Sequence, residues 1–97
     1  MKKVKFKIYD CVVSQHRYPN GQIALMLRCA ETGEPIAKAT AALQITIPTD
    51  HVLIKDYAEN KGILKALIEA DVIEPAKKVI DWGFVEFHLC KLKPLED

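Results

Sequence analysis

The sequence predicts an α+β domain: a twisted, mainly antiparallel sheet of five or six strands with one helix packed across it. Three observations carry the prediction. Apolar and charged residues alternate near both ends of the chain, the period of two expected of half-buried strands. Only the window 61–70 spaces its apolar groups three and four apart, the period of a helix face. Gly, Pro and Asn residues interrupt the remainder at short intervals, as turns between strands require. At 97 residues the chain is long enough for one hydrophobic core and too short for two. Residues 1–97 therefore read as a single domain, with a frayed tail over 93–97.

The first strand is built from Val4, Phe6 and Ile8, alternating with Lys3, Lys5, Lys7 and Tyr9, and the run continues toward Val12 and Val13. Tyr18-Pro19-Asn20-Gly21 ends it, because Pro suits the second turn position and Asn-Gly supplies positive φ. A second strand covers 22–29, and Glu31-Thr32-Gly33-Glu34 turns the chain into a third extended segment over 36–43. Ala37, Ala39, Ala41 and Ala42 are small for a strand and a helix competes there, but Pro35 and the β-branched Thr40, Ile45, Thr46 and Ile47 favour strand. Pro48 breaks the run, and His51 to Lys55 reads as a short apolar strand.

The helix follows. Asp56-x-x-Glu59 resembles a capping box that would start it at Tyr57, yet that start puts the Asn60 amide inside the apolar stripe of Ile63, Leu64, Leu67 and Ile68. Asn60 is therefore the expected N-cap of a helix over 61–70, with Gly62 in the first turn permitting close backbone approach. Asp71 tolerates a left-handed stop and Pro75 prevents continuation. A hairpin over 77–80 and 84–92, turning at Asp81-Trp82-Gly83, completes the chain.

Composition excludes several classes. The chain is 49% hydrophobic and 28% charged, which argues against disorder, and a net charge of +1 provides no global field for nucleic acid. Lys5 and Lys7 interrupt any signal-like apolar run at the N-terminus, and no window reaches the length of a membrane span. A cytoplasmic protein without membrane contact is expected. Cys11, Cys29 and Cys90 are widely spaced and odd in number, the pattern of buried free thiols rather than of a disulfide framework. The neutrality is uneven: residues 1–30 carry six basic groups and one acid, whereas 31–76 carry four lysines and eight acids. If the terminal strands were neighbours, Lys3, Lys5, Lys7, Lys77 and Lys91 would form a basic sheet face able to bind phosphates. The ordinary reading of the same lysines is an edge strand guarded against aggregation.

No motif demands catalysis. Glu86, His88 and Cys90 share a strand face and are all metal-ligand types, but a spacing of two is only the strand period and further ligands must come from elsewhere. They read as an outward face, with no metal and no cofactor expected. Thr49-Asp50-His51 follows a proline and looks like a turn. The polar stretch Asp56-Tyr57-Ala58-Glu59-Asn60 lies where free backbone N–H groups hold a ligand or fix a loop. Asp56, Tyr57, Glu59 and Asn60 are binding candidates, as is Trp82, which reads as a lid on the core or as an exposed anchor for a partner.

Gly33-Glu34-Pro35 before an Ala/Thr strand, the run Ile54 to Ile63, Leu67-Ile68-Glu69-Ala70, Pro75 and Trp82-Gly83-Phe84-Val85 together resemble a family of small proteins of unknown function encoded by phages, plasmids and conjugative elements. The likeness covers about residues 21–92, with Asp71 in place of a helix-ending glycine and Ala41-Ala42 in place of a Thr-x-Asn run. It implies a bacterial mobile-element accessory and no particular activity. The function expected is thus a non-enzymatic interaction protein that binds a host macromolecule; the alternative is a nucleic-acid binder. A homodimer is expected because one helix cannot cover both faces of such a sheet.

Overall fold

A computed structural model describes residues 2–94. It contains seven strands, a 3-10 turn and one helix: β1 (Lys3–Phe6), β2 (Tyr9–Arg17), β3 (Ile23–Cys29), β4 (Pro35–Lys38), β5 (His51–Lys55), the 3-10 turn Ala58–Asn60, α1 (Ile63–Glu69), β6 (Lys78–Trp82) and β7 (Val85–Lys91). The class is α+β, as the periodicities require. The strands do not form the single sheet expected. They make two antiparallel sheets, one of four strands in the order β1-β2-β3-β4 and one of three in the order β5-β7-β6. No helix among the described residues is long and apolar enough to cross a membrane.

The division originates at β4. A register shift between Leu27 and Arg28 disturbs its pairing with β3, and beyond Lys38 the chain leaves the ladder. Thr40, fully buried, substitutes for the missing strand: its Oγ1 accepts the Leu25 N–H at 3.1 Å and its backbone bridges to Ile54 of β5. Ala39 accordingly donates to Leu25 and accepts from Lys55, so residues 39–41 join the two sheets. The extended segment expected over 36–43 is therefore short, and 41–47 is irregular, because its polar backbone is satisfied by a side chain instead of a neighbouring strand. Gln22 supplies that side chain, accepting from Leu43 N–H and donating to the carbonyls of Leu43 and Ile45.

The N-terminal run is a hairpin and not one strand. Phe6 pairs with Tyr9, leaving Lys7 and Ile8 as a two-residue loop in which Lys7 has φ 56°. Positive φ at the first loop position alone is the sign pattern of a type II′ turn, whose twist suits a hairpin. Ile8 consequently points outward and is 82% exposed. Tyr18-Pro19-Asn20-Gly21 and Glu31-Thr32-Gly33-Glu34 are turns, as their composition requires, with Gly21 at φ 88° and Gly33 at φ 78°.

The helix is shorter than the apolar stripe predicts, and Asn60 does not cap it. Gly62 occupies the N-cap position with φ 97°, and nothing lies within 4 Å of where its Cβ would sit, so glycine is used there for its conformation and not for close approach. The free N–H groups of Gly62 and Leu64 are instead accepted by the Asp56 carboxylate at 3.1 and 2.7 Å. Asp71, at φ 63°, closes the helix end as expected. Lys2 and Lys93 both reach Asp71, which ties the two ends of the described chain together. Lys93 lies in the segment expected to fray, and its N–H also donates to Val72 at 2.9 Å; residues 95–97 of that segment lie outside the described residues.

The main core lies between the sheets and the helix. Val4, Phe6, Cys11, Val13, Ile23, Leu25 and Leu27 of the four-stranded sheet meet Ile63, Ala66 and Leu67 of α1 and Val52, Ile54 and Cys90 of the three-stranded sheet. Each large aliphatic group buried here contributes about 1.5–3 kcal/mol. The opposite face of the three-stranded sheet, Leu53, Phe87 and Leu89, forms a second cluster under Leu43, Ala41, Ile45 and Ile47. The irregular segment thus covers the face of the three-stranded sheet that the single helix does not. Cys90 also departs from the outward face expected of Glu86, His88 and Cys90, since β7 slides from solvent at Glu86 into the core at Cys90. Cys11 and Cys90 are buried and Cys29 is half-buried, so burial holds for two of the three thiols.

Candidate functional site

The loop between β5 and α1 spends most of its polar atoms on the fold itself. Besides the two Asp56 contacts, the buried Asn60 amide donates to the carbonyls of Lys38 at 2.7 Å and Lys55 at 3.2 Å. Asn60 thereby clips the ends of β4 and β5 to the helix start. Tyr57 is half-buried, with its ring edge on to Phe87 at a centroid distance of 6.1 Å. The Glu59 side chain is exposed while its carbonyl accepts from the Lys7 ammonium at 2.5 Å. Of the four loop candidates, only Glu59 presents its side chain freely to solvent.

Trp82 stands apart from that loop on the β6–β7 hairpin. Trp82 pairs with Val85, so the turn consists of Gly83 and Phe84, with Gly83 at φ 69°, one residue later than the composition suggests. Trp82 is 45% exposed, Val79 47%, and Phe84 is fully exposed. Three large apolar side chains within six residues therefore face water, two on a strand whose outer edge is unpaired among the described residues and one in the turn that follows it. Aromatic anchors standing clear of the core are what protein interfaces use for most of their binding energy. Phe84 was invisible to periodicity because a turn residue belongs to neither face of its hairpin.

The basic residues divide between the sheets. Lys3, Lys5 and Lys7 belong to the β1 hairpin, whereas Lys77 and Lys91 flank the three-stranded sheet, and among the described residues β1 pairs only with β2. The terminal strands are not neighbours, so the five lysines do not form one sheet face. A different set converges: α1 packs beside β1, and a hollow of about 170 Å³ between them is lined by Lys5, Lys7, Lys61 and Lys65, with Glu69. Lys61 and Lys65 escaped the sequence reading because a helix's outward face looks alike whether or not a strand runs beside it. Lys5 also lies 3.4 Å from Asp10 in a solvent-exposed ion pair.

A second hollow, of about 270 Å³, is bordered by Asn20, Thr46, Pro48, Thr49 and His51. His51 is buried, and its Nδ1 lies 2.7 Å from the exposed Asp50 carboxylate. The carboxylate only accepts, so Nδ1 carries the proton. This contact holds the Asp50 carboxyl below its ordinary value. The Nε2 atom of His51 is buried without a partner among the described residues. On the outer face of the four-stranded sheet, His16 Nε2 lies 3.0 Å from Ser14 Oγ, to which Arg28 also donates at 3.3 Å. That pair has an arginine beside it where a nucleophilic triad would need an orienting carboxylate. Among the described residues no three His, Cys, Asp or Glu side chains gather as metal ligands.

Compared with protein-family models, with curated proteins and with solved structures, the chain finds no match.

Proposed function

We propose that this chain is a small non-enzymatic interaction protein that docks a protein partner through the β6–β7 hairpin. The observation that carries the reading is Phe84, fully exposed at the hairpin tip beside a half-exposed Trp82. Placing such groups in water forgoes about 1.5–3 kcal/mol each that burial would supply, and a partner surface restores it. The mobile-element part of the reading, an accessory acting on a host macromolecule, rests on the resemblance over residues 21–92. A photo-crosslinking amino acid placed at position 84 in living cells tests the docking, with the exposed Glu69 as the control position. A defined protein adduct at 84 and not at 69 is expected. No adduct, the same adducts from both positions, or an adduct between two copies of this chain would overturn it, the last in favour of the homodimer.

The nucleic-acid reading has its own supporting observation in Lys5, Lys7, Lys61 and Lys65 around the β1–α1 hollow. It expects binding to a mixed oligonucleotide that weakens steeply with salt, and a shallower salt slope in a Lys61→Gln/Lys65→Gln variant. No binding at low salt removes it.

A further inference from the structure

We propose that Cys11 and Cys29 form a redox-modification site, a dithiol that a small-molecule disulfide of the glutathione class converts to a disulfide joining β2 and β3. The register supplies the geometry. Cys11 lies directly opposite Cys29, and the Ala30 N–H donates to Asp10 at 2.9 Å, which makes Asp10 and Ala30 a hydrogen-bonded pair and the adjacent Cys11 and Cys29 a non-hydrogen-bonded one. In such pairs the Cα atoms are about 4.5 Å apart and both side chains rise from the same face. That spacing falls at the short end of the disulfide range, so the bond needs little backbone movement.

The two thiols have unlike surroundings that assign their roles. Cys29 is half-buried at the end of β3, where the Thr32 hydroxyl and the Thr32 and Glu31 N–H groups hydrogen-bond its sulfur and hold the thiol below its ordinary value. Cys11 is buried, and that burial, with Cys29 and Asp10 nearby, pushes its thiol up. Cys29 is itself partly open to solvent, and a hollow of about 440 Å³ bordered by Lys3, Lys5, Asp10, Ala30 and Glu31 lies against Cys11. Cys90 has neither feature: its partner across the ladder is Val52, and burial pushes its thiol up to about 11.

The Cys29 thiolate attacks one sulfur of the small disulfide, breaking its S–S bond, forming a mixed disulfide and releasing one thiolate that takes up the proton Cys29 lost. The Cys11 thiol then loses its proton and attacks the Cys29 sulfur, expelling the second small thiolate, which takes that proton. Two protein thiols are oxidised and one small disulfide is reduced to two thiols.

Incubation of the reduced full chain with oxidised glutathione, followed by alkylation under denaturing conditions and non-reducing peptide mapping, tests the site. The expected product has lost two of its three alkylatable thiols, is lighter by two hydrogens, and yields a linked Cys11–Cys29 peptide. Cys90→Ser should behave as the parent does, and Cys11→Ser should stop at glutathione-modified Cys29. The parent protein alone decides the matter if a variant fails to fold. A lasting glutathione adduct with Cys11 still alkylatable, a bridge through Cys90, a link between two chains, or no reaction would overturn the site.

Discussion

Asn60 and His51 are both buried polar residues, and their environments predict responses to substitution of different size. The Asn60 amide donates to two carbonyls that close the ends of β4 and β5, so Asn60→Ala leaves both unpaired. A loss of about 1–3 kcal/mol is expected, read as a lower urea midpoint with unchanged slope. His51 makes one hydrogen bond to an exposed carboxylate and buries a second nitrogen unpaired. Replacing it by Leu removes that unsatisfied atom together with the bond, and a change under about 1 kcal/mol is expected. Sequence reasoning found Asn60 by its conflict with the apolar stripe and gave it a cap role, because a cap is the one local partner an Asn at a helix start can be assigned. Its actual partners, Lys38 and Lys55, are carbonyls of two other segments, and no spacing in the sequence announces them. Lys7 shows the same limit: a lysine continuing an alternating strand carries no sign that its φ is positive.

At the scale of elements, hairpins and turns with their own chemistry were the most legible. Pro19-Asn20-Gly21, Gly33 and the left-handed Asp71 act where their backbone preferences put them. Asp71 does more than stop the helix, because Lys93 and Lys2 converge on it from the two ends of the chain. The Lys93 hydrogen bond and charge, with Lys2 beyond, hold its carboxyl below the ordinary value. A carboxyl depressed in the folded state stabilises the protein above its unfolded pKa, and that contribution is lost as pH falls through the folded value. Asp71→Asn keeps tolerance of the left-handed backbone while deleting the charge. The stability gap between parent and variant, measured by urea titration, should be present near neutrality and close as pH falls below about 4.

At the scale of the molecule, the two sheets share one core although, among the described residues, their only backbone bridge is at Thr40 and Ile54. Val52, Ile54 and Cys90 of one sheet are buried against Leu25, Leu27 and the helix, so neither sheet retains its burial without the other. Unfolding should be a single transition in which far-ultraviolet circular dichroism and the fluorescence of the lone tryptophan, Trp82 on the smaller sheet, change together. Separate midpoints would mean that the sheets unfold independently. Ile54→Ala is expected to cost about 2–5 kcal/mol and to shift both signals equally.

Residue order alone determined what is local: the α+β class, the extended or helical character of most segments, the composition-driven turns, and a charge distribution uneven beneath a net +1. These follow from period, backbone preference and side-chain chemistry within a few neighbours of one another. Tertiary structure decided what depends on distance: the division into two sheets, the irregular cover of residues 41–47, the lysines gathered at the β1–α1 hollow, and Cys11 set opposite Cys29. Each of these depends on which hydrogen-bonding edge finds a partner far along the chain. Such pairing is settled by the joint burial of all the apolar faces at once, a quantity no single segment contains.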